Sequence, residues 1–312
     1  MNIKMLKTNT FIKATTTILA TCMLMACGGE SSDSDTIANT THAMTLIAPE
    51  MGPTEGKNIF TLNVKDTDGF AVNAVVPMMI PMMTMVNGHQ HSTPNLGCQE
   101  TDAEGNAQCT LYFSMASGPT MGVWNLGFTL PNSEQAAIEF TPAVSMAMGD
   151  TKKTKLKGID DTIAGMEMDG MTMPASREYQ IYNNGLTGMG DNRSIELFIA
   201  AKESMMSYPA LVQNQALNDG SADYELTPTS IDVKVSTNNS DWVDATTSGG
   251  GVWNASSLTG LVDNQEATLY VKLAVNGEDK TTNGETADGL NASAQFTLKM
   301  TSGDMSAMNG AM

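Results

Sequence analysis

The run MMTMVNGHQHSTP, residues 82–94, gathers side chains suited to holding a soft metal ion: Met83, Met85, His89 and His91. Thioether sulfur is soft, uncharged and has no proton to lose, which suits Cu(I), while imidazole suits Cu(II), Zn and Cu(I) alike. A site built from both holds copper through a change of oxidation state. His89 and His91 are two apart, so in an extended chain both rings point to one side with backbones about 7 Å apart. That spacing predicts two imidazoles converging on one ion. Asn87-Gly88, a tight-turn signal, places them at a loop or strand mouth open to solvent. Strand parity then divides the neighbouring apolar residues. Val76, Met78, Ile80 and Met82 share one face, expected to be core, and Met79, Met83 and Met85 share the other, leading toward the histidines. Met115 and Met121 bracket ASGPT (116–120), expected to be a hairpin loop that sets them near each other across two strand ends. Trp124 follows, with a ring face able to shield Cu(I). The competing account makes these methionines soft core filler, above all Met78, Met79 and Met82.

Methionine usage is itself unusual. The chain has 26 methionines, 22 of them after residue 26, while aromatics make up only 5%. Many lie among Gly, Asp, Ser and Pro, where no apolar period would bury them. GMEMDGMTMP (165–174) carries Met166, Met168, Met171 and Met173 at close spacing. It is either a secondary soft-metal site or a flexible linker. The tail, 301–312, is also rich in methionine.

Other chemistries find less support. Asp66, Asp68, Asp102 and Glu104 lie in Asp-x-x-Gly runs, but no twelve-residue loop with a closing glutamate accompanies them, so turn formation accounts for them better than calcium. There is no phosphate-binding loop, no HExxH and no Ser-His-Asp order, which argues for a non-enzyme. The formal charge is −18. Setting aside Lys4, Lys7 and Lys13 leaves 34 acidic residues against 13 of the 16 basic ones, or −21. Such a chain repels nucleic acid and anionic membrane surfaces and weakly gathers cations.

The elements that must position these groups are strands. Apolar and β-branched runs recur at 44–48, 58–64, 74–85, 108–115, 123–130 and 136–140, separated by turns such as Asp66-Thr-Asp-Gly69 and Asp102-Ala-Glu-Gly105. Pro77 and Pro81 put the third run at a sheet edge or break it in two. A second series falls at 179–183, 195–201, 230–236, 268–275 and 294–300. No amphipathic helix of useful length appears. The pattern predicts an all-β protein of two antiparallel sandwiches, 42–145 and 177–300, joined by a Met-rich linker at 146–176. Gly-Val-Trp-Asn occurs at 122–125 and again at 251–254, in both places a strand start that sinks a tryptophan, as two related β domains would.

Residues 1–26 have the basic start and short apolar stretch of an export signal. Leu24-Met25-Ala26-Cys27 resembles a bacterial lipobox, which implies a lipidated Cys27, a tether over 27–41, and anchoring to the outer membrane of a Gram-negative envelope. The alternative is a plain secretory signal with a stray cysteine. Cys98 and Cys109 then remain as one pair in an oxidising compartment. They lie a hairpin's length apart around Asp102-Ala-Glu-Gly105, so a disulfide would staple neighbouring strands and stabilise by roughly 2–3 kcal/mol. Two thiolate metal ligands are the rival account.

Residues 58–130 resemble the YtkA-like domain, related to the periplasmic part of the FixH proteins. The shared pattern is NIFTLNVKDTDG, AVVPMMIPMM, MVNGHQH, DAEGNAQC, LYFSM and MGVW. The resemblance implies an immunoglobulin-like sandwich and a copper-linked envelope role, with Met85, His89, Met115 and Met121 matching its motif. The sequence departs from it in the two residues before Gly-His, in the added His91 and in the Cys98/Cys109 pair. The expected function is copper binding for storage, delivery or tolerance, with a copper ion and another envelope copper protein as partners. The alternatives are an adhesion or scaffold lipoprotein with methionine as filler, and an oxidant-absorbing role for exposed methionines.

Overall fold

The computed structural model describes residues 34–38, 42–131, 137–168, 171–190, 192–218, 223–289 and 291–299. These described residues belong to one compact unit. The fold is all-β in antiparallel sheets, with no helix among the described residues. The first nine strands are β1 (Ser34–Ala38), β2 (His42–Ile47), β3 (Gly56–Asp66), β4 (Met78–Met85), β5 (Gln90–His91), β6 (Asn95–Cys98), β7 (Asn106–Phe113), β8 (Gly122–Thr129) and β9 (Ile138–Phe140). They make two sheets, ordered β1-β2-β3-β7-β6 and β5-β4-β8-β9. One hydrophobic core lies between them, with Phe60, Leu62 and Leu111 from the first sheet and Met83, Trp124 and Phe128 from the second. Alternation of buried residues with exposed or half-buried ones along β3 is the expected signature of a strand with one face on that core.

The remaining strands are β10 (Lys153–Met168), β11 (Met171–Thr187), β12 (Arg193–Lys202), β13 (Ile231–Ser236), β14 (Val243–Asp244), β15 (Thr246–Gly249), β16 (Val252–Leu258), β17 (Glu266–Val275), β18 (Glu278–Asp279) and β19 (Ala294–Lys299). One sheet runs β10-β11-β12-β16-β15, and the other runs β14-β13-β17-β18 with β19 also paired to β17. A second core lies between these two sheets, with Tyr179, Leu197 and Trp253 facing Val235, Leu269 and Phe296. A third, small cluster of Tyr112, Tyr182 and Phe198 joins the halves. Tyr112 stacks on Phe198 with centroids 4.0 Å apart, and Lys57 pairs with Glu196 at 3.0 Å.

Three expectations are corrected here. Residues 153–168 and 171–187, most of them expected to be linker, are long paired strands of the second half. Their apolar residues are sparse because buried ion pairs take part of the place of an apolar stripe. Met115 and Met121 do not face each other across a hairpin. β7 pairs with β3 and β6 while β8 pairs with β4 and β9, so the connection between β7 and β8 crosses from one sheet to the other. The faces of β4 are also inverted: Met79, Pro81 and Met83 are buried, and Met78 and Ile80 are exposed. The register sets Met83 opposite Trp124, Pro81 opposite Leu126 and Met79 opposite Phe128. The inward aromatic and aliphatic face of β8 thereby fixes a phase that β4, apolar on both faces, leaves open.

Both copies of Gly-Val-Trp-Asn have a shared physical reason. Gly122 has φ +139°, and a Cβ there would lie 2.3 Å from the Thr84 carbonyl oxygen; Gly251 has φ +78°, and its Cβ would lie 2.8 Å from that of Ile199. In each, only glycine lets the strand start this close to its neighbour. Two residues on, Trp124 and Trp253 are buried.

The cysteine pair is a disulfide. Cys98 lies opposite Cys109 across β6 and β7 and is bonded to it. The two Asp-x-x-Gly runs are side-chain-capped turns. Asp66 Oδ1 accepts from the amides of Asp68 and Phe70, and Asp102 Oδ1 from those of Glu104 and Asn106. The bond from the Asn106 amide is the main reason the Asp102 carboxyl sits below its ordinary range.

Candidate metal centre

The hairpin between β4 and β5 positions the candidate ligands. Gly88 N–H donates to the Met85 carbonyl at 2.9 Å, and Met85 N–H donates to the His89 carbonyl at 2.8 Å. Gly88 has φ +84°. This is the three-residue hairpin loop in which a type I turn ends in a left-handed glycine. Asn87 tightens it, its Oδ1 accepting from His89 N–H at 3.1 Å. The register sets Met83 opposite His91, and the turn sets Met85 opposite His89. Side chains directly opposite in a pair, and those two apart, share one face of the ribbon. Met83, Met85, His89 and His91 are therefore on a common face, with Cβ atoms of opposed residues about 4.5–5.5 Å apart.

Depth separates the two pairs. Met83 is 0% exposed and His91 6%, while Met85 is half-buried and His89 is exposed. His89 and His91 share one face, but at different depths, so the four residues fall into two Met/His pairs, one buried and one at the rim. The cause is the short β5, which carries His91 inward while His89 stays at the turn.

The buried pair is packed and oriented. The His91 ring meets Trp124 edge-on with centroids 5.3 Å apart, and Trp124 also touches Phe113. His91 Nδ1 lies 2.8 Å from the Ser92 carbonyl oxygen. A carbonyl only accepts, so Nδ1 is the donor here and Nε2 is the nitrogen left to face a ligand. A backbone carbonyl holding one ring nitrogen in this way is the usual outer support of a ligating imidazole.

Met115 packs against the same core, and its carbonyl accepts from Trp124 Nε1 at 2.9 Å. Met121 is 38% exposed, and its carbonyl accepts from Val86 N–H at 3.3 Å, which brings its backbone to the turn. Met171 and Met173 are exposed near the tip of the β10–β11 ribbon, where Met168 pairs with Met171. The side chains of Met166 and Met168, the tail and Cys27 lie outside the described residues. Among the described residues no three His, Cys, Asp or Glu side chains gather as a metal-binding group, so a site here depends on thioether sulfur.

One constellation escaped sequence reasoning. In the second half Arg177, buried to 1%, pairs through Nη1 with Asp161 and lies with Nε 2.8 Å from Glu203 Oε1. Its Nη2 donates to the Tyr224 carbonyl at 2.5 Å. Lys280, also 1% exposed, lies 3.2 Å from Asp161 and 2.9 Å from Glu278. Burial pushes the Glu203 carboxyl up, and Arg177 draws it partly back. Burial alone would depress Arg177, but the charges of Asp161 and Glu203 outweigh it and raise it. No local motif marks these residues, because five separate segments supply them.

No family model and no curated protein matches the chain. Two solved structures are similar in part. The adhesin InvE of Yersinia pseudotuberculosis aligns with 11% identity and a TM-score of 0.25 over 82% of this chain. The chain spans 58% of that adhesin chain's length. A DUF4466 family protein from Parabacteroides merdae ATCC 43184 aligns with 10% identity and a TM-score of 0.22, over 83% of this chain and 99% of that one. Similarities of this size carry no argument about function.

Proposed function

We propose that the protein is an envelope lipoprotein that binds copper at the β4–β5 end of its first half. One observation carries the reading: the hairpin register sets each methionine opposite a histidine on one face of the ribbon. Met85 and His89 are the accessible pair, and Met83 and His91 the shielded pair beneath them. The donor set fits Cu(I), and Nε2 of His91 and the exposed ring of His89 add capacity for Cu(II). Met115 and Met121 flank the same end, and Met166, Met168, Met171 and Met173 would add weak capacity. The role is storage, delivery or tolerance rather than turnover. Each half is assigned an immunoglobulin-like sandwich, and residues 58–130 a YtkA-like domain. Lipid on Cys27 would hold the chain at the outer membrane.

The test is a titration of the purified protein with Cu(I) against a competing chelator, and with Cu(II). Wild type takes up about one equivalent of Cu(I). His89→Ala with His91→Ala abolishes Cu(II) binding and leaves part of the Cu(I) binding. Wild-type behaviour in the double variant would show that the site lies elsewhere.

A second reading, a non-catalytic adhesion or scaffold lipoprotein, is favoured by the outer face of β4 and β8. Met78, Ile80 and Val123 are exposed there, and at the Val123 end an apolar cavity of about 540 Å³ is lined by Val86, Pro119, Val123 and Pro142. Absence of any copper uptake selects this reading.

A further inference from the structure

The ion-pair cluster of the second half contains a buried amine beside a buried carboxyl, and we infer that Lys280 and Asp161 form a spontaneous isopeptide bond between the two sheets. Asp161 lies on β10 and Lys280 directly follows β18, in different sheets. The backbones already meet there, because Lys157 and Thr281 exchange hydrogen bonds of 2.6 and 3.0 Å. Lys280 Nζ is 3.2 Å from Asp161 Oδ2, and both residues are buried. Holding two reactants in contact in this way replaces a bimolecular encounter.

The surrounding groups have the chemistry the step requires. Arg177 Nη1 donates to Asp161 Oδ1 and the Tyr179 hydroxyl donates to Oδ2, which draws electron density from Cγ. Lys280 Nζ also donates to Glu278 Oε1 at 2.9 Å, and Ile159 N–H fixes that same oxygen at 2.7 Å. Lys280 first passes a proton to Asp161 Oδ2, leaving a neutral amine and a neutral acid. The amine lone pair then attacks Cγ, and charge develops on Oδ1 against Arg177. Glu278 takes one proton from the nitrogen and returns it to the departing Oδ2. The Cγ–Oδ2 bond breaks and water leaves. Ammonium and carboxylate have become amide and water, with no oxidant or cofactor. The bond would lock β10 to β18 over the second core.

The test is mass spectrometry of the full chain, reduced, denatured and digested with trypsin. The expected product joins peptide 158–177 to peptide 273–299 with the loss of one water and no cleavage after Lys280. Lys280→Arg keeps a cation at the site and should abolish the joined peptide. Asp161→Asn should still join, with the loss of ammonia in place of water. Recovery of separate wild-type peptides cut after Lys280 overturns the inference, as does a joined peptide that survives in Lys280→Arg.

Discussion

The two halves of the molecule use burial in opposite ways. The β4–β5 end of the first half gathers two thioethers and two imidazoles, Met83, Met85, His89 and His91, which a single hairpin brings together. The second half buries charge, with Arg177 and Lys280 set against Asp161, Glu203 and Glu278 from distant segments. A thioether costs little to bury and can form core and ligand at once. A guanidinium is tolerated in the interior only while its partners stay in place. The first region should therefore accept single changes that alter binding more than folding, and the second should not.

The largest effect is expected at Arg177. Arg177→Ala leaves the buried Glu203 carboxylate without its counter-charge and Asp161 Oδ1 without its donor, and should cost about 3–5 kcal/mol in urea denaturation. A loss below about 1 kcal/mol would mean that water reaches the cluster. In the first half, Met83→Ala opens a cavity against Trp124 and should cost about 2–5 kcal/mol, while Met83→Leu stays near wild type because volume is kept. Equal losses from both would show that the sulfur, and not the packing, stabilises the fold. Breaking the staple with Cys98→Ser and Cys109→Ser should cost about 2–3 kcal/mol.

At the rim the comparison turns from folding to binding. Met85→Ala with His89→Ala should change stability by no more than about 0.5 kcal/mol, since neither side chain is core. It should weaken Cu(I) binding at least about tenfold, roughly 1.4 kcal/mol, in a chelator competition. The smallest effect is a slope with pH. Burial opposes ionisation of Glu278, but bonds from Lys280 and the Ile159 amide outweigh it and lower its carboxyl. That stabilisation is present above the ordinary glutamate value and is lost as pH falls through the lowered one. Burial raises Glu203, so its contribution has the opposite sign: full at low pH, lost as pH rises through the raised value. Glu203→Gln should therefore lose Tm more steeply on acidification than wild type does, measured by thermal melts across a pH series.

Local spacing by itself determined a good part of the protein. Turn residues at Asp66–Gly69 and Asp102–Gly105 cut the chain into strands, because Asp side chains and left-handed glycines form those turns without help from the rest of the fold. Cys98 and Cys109 were close enough in sequence to staple neighbouring strands. Asn87-Gly88 sufficed to set Met85 against His89. Only the tertiary structure decided which face of β4 turns inward, since both faces are apolar and the choice rests with Trp124, Leu126 and Phe128 of another strand. It also decided that the β7–β8 connection changes sheets, and that Asp161, Arg177, Glu203 and Lys280 meet. Backbone turns are settled among neighbours in sequence. Phase, sheet partnership and the pairing of buried charge depend on residues that meet only once the chain has folded.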